Sequence, residues 1–284
     1  MTGSSATVRR ALSSTVVVCS VLLSTGCGAA KSGGGASGAT PSRATGATPT
    51  ATPTVAAAVD STRTVRVALD ATGRTTARTS VRTELGKGSV PAYVISGKGA
   101  HDFAEHRGTV SIGIATAARF EEVLADGRVY IRGAAGDETM PWSYVDRDEV
   151  EARHILRAPA NDPEYTLRQA AMGERFQQVG EEDLNGSAVT RYRGLLTHEA
   201  LTLQMNKEMR AKTDRLRDLM GGLIPATVDV WVDSRKRAVQ VRLSMTIEGA
   251  ASSVNTLTLT ELGRPVKVTV PAAEAAESDA SILG

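Results

Sequence analysis

The feature that most constrains this chain is a two-residue hydrophobic period that returns along most of its length. Val228, Val230 and Val232 alternate with Asp229 and Trp231, a polar turn follows at 233–237, and Val239, Val241, Leu243 and Met245 then alternate with Gln240, Arg242, Ser244 and Thr246. Two such runs joined by a short polar loop predict a hairpin. The same pattern appears at Val65, Val67 and Leu69; at Ala77, Thr79 and Val81 against Arg78, Ser80 and Arg82; at Val110, Ile112 and Ile114; at 128–133 after Asp126-Gly127; and at Leu257, Leu259, Val266, Val268 and Val270. Asn185-Gly186 marks a further hairpin. One-sided alternation of this kind implies a largely antiparallel sheet of about ten strands with one wet face. A sheet of that size tends to curl.

Two stretches depart from the period. Residues 146–157 and 162–172 read as one or two helices, with Asp162 before Pro163 at the first turn. Residues 199–220 read as one longer helix, closed by Gly221-Gly222 and Pro225. The expected fold class is α+β, one large curved antiparallel sheet with a few helices on one face, over residues 61–272. Residues 273–284 read as a loose tail.

Charge and cysteine content narrow the function. The net charge is +2, and Arg9 and Arg10 are the only charged residues in 1–26. Removing that segment leaves 31 of the 33 basic residues against 31 acidic ones. This balance argues against nucleic acid as a partner. The two cysteines, Cys19 and Cys27, both precede the strand-rich region, so that region has neither disulfides nor a thiolate metal site.

The N-terminus has three parts. Arg9 and Arg10 precede an apolar run from Ala11 to Leu23, and small residues lead to Cys27. The layout is that of a signal peptide, and the run is shorter than the roughly 20 residues a membrane span needs. The Gly26-Cys27 junction resembles a bacterial lipoprotein lipobox, which implies cleavage before Cys27 and lipid attachment to its thiol. Residues 27–60 are rich in Gly, Ala, Thr and Pro and are expected to tether a domain to the outer face of the cell membrane.

Several motifs follow in a characteristic order: SGKGAHDF at 96–103, RGTVSI at 107–112, VLADGRVYIRG at 123–133, PWSYVD at 141–146, VGEEDLNGSAVTRYRG at 179–194, PATVDVWVDSRKRAVQVRL at 225–243 and TLTLTELGRPVKVTVPAAEAA at 256–276. In this the chain resembles the actinobacterial LppX/LprG-type lipoproteins, over residues 62–273. The resemblance implies a half-barrel similar to LolA and RseB, with helices over the concave face. It also implies an apolar cavity for an acylated lipid or glycolipid. Candidate walls are Met205 and Met209, whose thioethers adapt to irregular shapes, with Ile112, Ile114, Val123 and Leu219; taken singly, each reads somewhat more readily as ordinary core. The alternative is a non-catalytic sensory or interaction module, RseB-like, whose partner is a membrane transporter or regulator.

No catalytic constellation emerges. There is no G-x-S-x-G elbow and no phosphate-loop spacing. His101, Asp102, Glu105 and His106 lie close enough to raise a metal site, but the surrounding glycines read better as a turn between strands. Trp142 and Trp231 read as packing anchors. No enzyme activity, cofactor or metal is expected.

Overall fold

The computed structural model describes residues 55–87, 90–114, 118–135, 138–152, 160–272 and 276–278. Helix α1 (Val55–Thr72) leads into strands β1 (Thr76–Lys87), β2 (Val90–Asp102), β3 (Arg107–Ile114), β4 (Ala118–Ala125), β5 (Arg128–Ala135), β6 (Glu138–Thr139) and β7 (Trp142–Asp146). Helix α2 (Pro163–Ala171) is followed by β8 (Glu174–Leu184) and β9 (Ser187–Leu195). Then come α3 (His198–Leu201), α4 (Lys207–Leu219), β10 (Ala226–Asp233), β11 (Ala238–Ile247), β12 (Ala251–Thr260) and the short β13 (Ala276–Ser278).

All these strands join one open sheet in the order β13-β7-β5-β4-β3-β2-β1-β12-β11-β10-β9-β8, with β6 on β5. Every pairing is antiparallel except β13 on β7. The sheet is therefore two meanders running outward from a central seam, where β1 lies against β12. The predicted antiparallel α+β architecture is the one observed. The turns that set its register carry the expected chemistry: Asp126-Gly127 and Asn185-Gly186 all have positive φ, which suits tight two-residue hairpins.

Helices α1, α2 and α3 cover one face. Val65, Ala68 and Leu69 of α1, Leu167 and Ala170 of α2 and Ala200 of α3 pack onto Val81, Val228, Val230, Val241 and Leu257 of the sheet. The Thr72 hydroxyl donates to the Ala238 carbonyl at 3.0 Å, and the Phe176 amide donates to the Thr62 hydroxyl at 3.3 Å. These bonds tie the middle and the C-terminal end of α1 to the sheet. A second cluster on the β2–β7 half gathers Ile95, Val110, Ile112, Leu124, Val129 and Ile131. No described helix is long and apolar enough to cross a membrane.

Several expectations need correction. The segment 62–69 is helical, not a strand. Val65, Ala68, Leu69 and Thr72 are buried at helical spacing while Val67 is 54% exposed, so the apparent alternation of valines is incidental. Residues 199–220 form two helices instead of one: Thr197 caps α3, and Asn206 caps α4 by accepting from the Met209 amide at 2.7 Å. Val266, Val268 and Val270 enter no strand ladder, although Val268 packs against Val123, Ala125 and Tyr130. Only a 3-10 turn, Arg147–Glu149, is found in the first predicted helix, whose residues 153–157 lie outside the described residues. Helix α1 begins inside the segment expected as tether, and β13 lies in the expected tail.

Candidate functional site

The row of residues facing the helices at the seam can be read from the register. Directly paired residues on antiparallel strands share a face, so Val81, Leu257, Val241 and Val230 form one inward row. Those four are 5%, 0%, 0% and 0% exposed, a fully apolar floor. Two residues along each strand, the next row is Ile95, Thr83, Asn255, Leu243 and Val228. The row after it brings Leu85, Ser253, Met245 and Ala226 together.

Over these last two rows lies a cavity of about 360 Å³. Its floor is Thr83, Asn255, Leu243, Ser253 and Met245. Helix α4 roofs it with Met209, Thr213 and Leu216, which recur at helical spacing. Leu201 of α3 and Met205 of the α3–α4 connection extend the roof, and Tyr165 and Gln169 of α2 close one side together with Leu196, Ile224 and Ala160. Among the described residues no lining side chain is charged. The Tyr165 hydroxyl donates to the Leu203 carbonyl at 2.7 Å, and burial pushes its pKa up to about 12, so it stays neutral. Gln169 is held by its own bond to the Ala200 carbonyl, 2.8 Å. Apolar walls with a few neutral polar groups suit an uncharged hydrocarbon.

The roof is lightly attached. Helix α4 has no fully buried residue. It is tied down by His198 Nε2 on Asp214 Oδ1 at 2.6 Å and by Arg210 donating to the Thr202 carbonyl at 3.1 Å.

The structure brings Met205 and Met209 to this wall and places the other candidates elsewhere. Ile112 belongs to the separate β2–β7 cluster, and Val123 lies on the opposite face with Tyr130, Trp142 and Tyr144. Leu219 is 85% exposed; Leu216, one turn earlier, takes the wall position that a continuous 199–220 helix would have misassigned. The side chain of Ile114 and the whole of Cys27 lie outside the described residues. Leu243, Met245 and Asn255 reach the wall through strand register and Leu201 through the packing of α3, neither of which a local sequence pattern identifies.

On the other side of α2 lies a polar cavity of about 300 Å³, bounded by His106, Arg147, Asp162, Glu164, Arg168 and Gln204. Glu164 is its centre. Oε1 meets His101 Nε2 at 2.6 Å, and Oε2 meets His106 Nδ1 at 3.1 Å and Arg147 Nη2 at 3.2 Å. Arg147 also binds Asp162 at 2.6 Å, the residue that caps α2. Burial works against the Glu164 charge, but hydrogen bonding and charge attraction from His101, Arg147 and His106 prevail and hold its pKa at about 2. Gly108 faces His101 across the β2–β3 pair because a Cβ there would sit 2.1 Å from the imidazole. The histidines raised as metal ligands thus clamp a carboxylate of α2 and flank the β2–β3 turn. Among the described residues no group of three or more His, Cys, Asp or Glu could hold a metal.

The face of the sheet away from the helices carries Trp231, 3% exposed, between Arg191 and Arg242 at 5.0 and 5.4 Å from its ring. Its indole donates to Glu182 at 2.8 Å, and the adjacent buried Asp229 takes Arg191 and Arg193. These contacts make Trp231 a packing anchor.

No family model and no curated protein sequence matches the chain. Among solved structures it is similar to the lipoprotein LppX of Mycobacterium tuberculosis, at 16% identity and a TM-score of 0.47, over 74% of this chain and 99% of that one. It is similar to LprF of Mycobacterium bovis, at 12% identity and a TM-score of 0.46, over 76% and 98%. A LolA superfamily protein of Nitrosomonas europaea aligns at 9% identity and a TM-score of 0.29, over 73% and 94%. The fold assignment itself rests on the strand order and register described above.

Proposed function

We propose that this chain is a lipid-binding lipoprotein that shelters an acyl chain between its sheet and helix α4, without catalysis. The observation that carries the reading is the 360 Å³ cavity lined by Met205, Met209, Leu216, Leu243 and Met245, with no charged side chain among the described residues. Its volume falls in the range of roughly 300–1,000 Å³ common for ligand pockets. Each methylene moved from water into such walls contributes about 0.8 kcal/mol, so a short length of chain supplies useful affinity without any specific polar contact.

The N-terminal layout supplies the location. Cys27 would carry the lipid anchor on the outer face of the cell membrane, and the Gly-, Ala-, Thr- and Pro-rich segment after it has the composition of a tether. A carrier so placed takes acylated lipids or glycolipids from the membrane that holds it.

Two experiments test these statements separately. Native mass spectrometry and solvent extraction of the chain purified from its own membranes should recover an acyl lipid in near-stoichiometric amount. Recovery of protein with an empty cavity, unable to take up a fluorescent fatty acid, rejects lipid binding. Replacing Cys27→Ala should move the chain from the membrane to the soluble fraction with its fold intact; a variant that stays membrane-bound and unprocessed rejects the anchor.

A further inference from the structure

The three most exposed large apolar side chains among the described residues all stand at one end of the cavity. Leu219 is 85% exposed, Tyr93 72% and Leu223 62%. Leu219 and Leu223 bracket the turn between α4 and β10. Leu216, one helical turn before Leu219, and Ile224, directly after Leu223, both line the cavity. Tyr93 pairs with Leu85 and so continues the inward row of Leu85, Ser253, Met245 and Ala226, of which Ser253 and Met245 floor the cavity. The inward residues of β1 lose cover in this direction: Val81 and Thr83 are buried, Leu85 only half-buried. This is the end at which the cavity opens.

The turn that presents the two leucines is built, not frayed. The amides of Met220, Gly221 and Gly222 donate to the carbonyls of Leu216, Asp218 and Arg217 at 3.1, 3.2 and 2.9 Å. Gly221 and Gly222 take φ of +77° and +96°, the left-handed backbone that closes a helix. Pro225 carries no amide hydrogen. Residues 219–228 contain no charged side chain. Internally paired backbone under apolar side chains is what a bilayer accepts, and tyrosine, with an apolar body and a polar tip, suits its boundary with water. Arg215, four residues before Leu219 on the same helical stripe, adds a cation on the headgroup side. A scattered exposed leucine is ordinary, but a cluster at a cavity mouth marks a contact surface. The chain also limits how far away a bilayer can be. Val55 begins α1 28 residues after Cys27, a length that spans at most about 100 Å.

We infer that Tyr93, Leu219 and Leu223 form a lip that dips into the surface of the lipid bilayer, so that an acyl chain passes between membrane and cavity without crossing water. This rests on the lipid-binding reading above and adds the surface from which that same cavity is loaded. Contact through three side chains is weak and reversible by itself. The anchor makes it sufficient by keeping the bilayer at high effective concentration. A chain without the anchor therefore still fractionates as soluble.

The test uses the anchored chain purified from its own membranes and reconstituted in phosphatidylcholine–phosphatidylglycerol vesicles. Leu223→Trp places a reporter on the lip, and Val179→Trp places one at an exposed apolar position on β8 (52% exposed) as the control. Brominated phosphatidylcholine, which quenches tryptophan on contact, should quench Leu223→Trp and leave Val179→Trp at the level of the parent. The second measurement follows an environment-sensitive fluorescent fatty acid from the vesicle into the cavity. Leu219→Glu combined with Leu223→Glu should slow this transfer at least about tenfold, the effect of withdrawing two leucines from hydrocarbon. The final occupancy should be unchanged, because the lip is the route and not the site. Leu219→Ser with Leu223→Ser provides the same comparison should the acidic pair fail to fold. Quenching of Leu223→Trp no greater than that of Val179→Trp, or transfer at the parent rate in both paired variants, overturns the inference and leaves lipid binding standing. A parent chain that takes up no fatty acid at any time overturns lipid binding itself.

Discussion

Ser253→Trp should abolish acyl-chain binding while leaving the fold in place. Ser253 lies on β12 facing the cavity, in the row with Leu85 and Met245, and its side chain is small and half-buried. A tryptophan there points into the 360 Å³ space instead of into packed core, so it fills the ligand's volume without displacing neighbours. Excluding about four methylenes removes about 3 kcal/mol, so affinity for a fatty-acid probe should fall by at least about a hundredfold. Tryptophan is well tolerated in strands, and circular dichroism should be unchanged. Undiminished probe binding by a folded Ser253→Trp variant would place the ligand somewhere other than this cavity.

The second large effect concerns stability. Glu164→Gln removes the charge on which His101, His106 and Arg147 converge, with Glu164 and His101 both largely buried. Breaking a buried ionic cluster by deleting one member typically costs about 3–5 kcal/mol. The depression of the Glu164 pKa from 4.5 to about 2 corresponds to a contribution on the order of 3 kcal/mol. For a domain of this size that is a loss of roughly 6–12 °C in Tm. The pH dependence has a definite sign. Because the folded pKa lies below the unfolded one, the Glu164 contribution is fully present above pH 4.5 and is lost as pH falls through about 2. The parent chain should lose stability across that window, and Glu164→Gln should flatten this part of the curve. Identical acid unfolding of the two would show that the cluster contributes nothing net. Since α2 carries Tyr165 and Gln169 into the cavity wall on its other side, loosening it should also weaken probe binding modestly.

Much of the sheet was legible because hairpins are local. Asn185-Gly186, Asp126-Gly127 and the alternation around Val230 and Val241 each sit within a few residues of the pairing they specify. The Asp162-Pro163 start of α2 is equally local: the Asp162 side chain accepts from the Glu164 amide at 2.9 Å. Helix α1 was misread because its valines alternate, whereas burial is decided by the small residues Ala68 and Thr72 that complete the helical stripe. The break between α3 and α4 depends on Asn206 acting as a cap within an otherwise helical pattern. The cavity was hardest to read. Met205 and Met209 carry a signal of their own, but Thr83, Asn255 and Leu243 become neighbours only through registers that no local pattern encodes. The same holds for His101, whose partner Glu164 is 63 positions away.

The central seam has a kinetic consequence. Each meander can assemble from neighbours in the chain, at small entropic cost for each turn closed. Joining β1 to β12 is different, since it closes a loop containing nearly the whole domain and is the pairing of highest contact order in the sheet. The cavity floor straddles that join, with Thr83 from one meander and Asn255 from the other. Neither half-folded piece therefore offers the complete floor, and the chain acquires its greasy interior as a binding surface only when the last long-range closure is made.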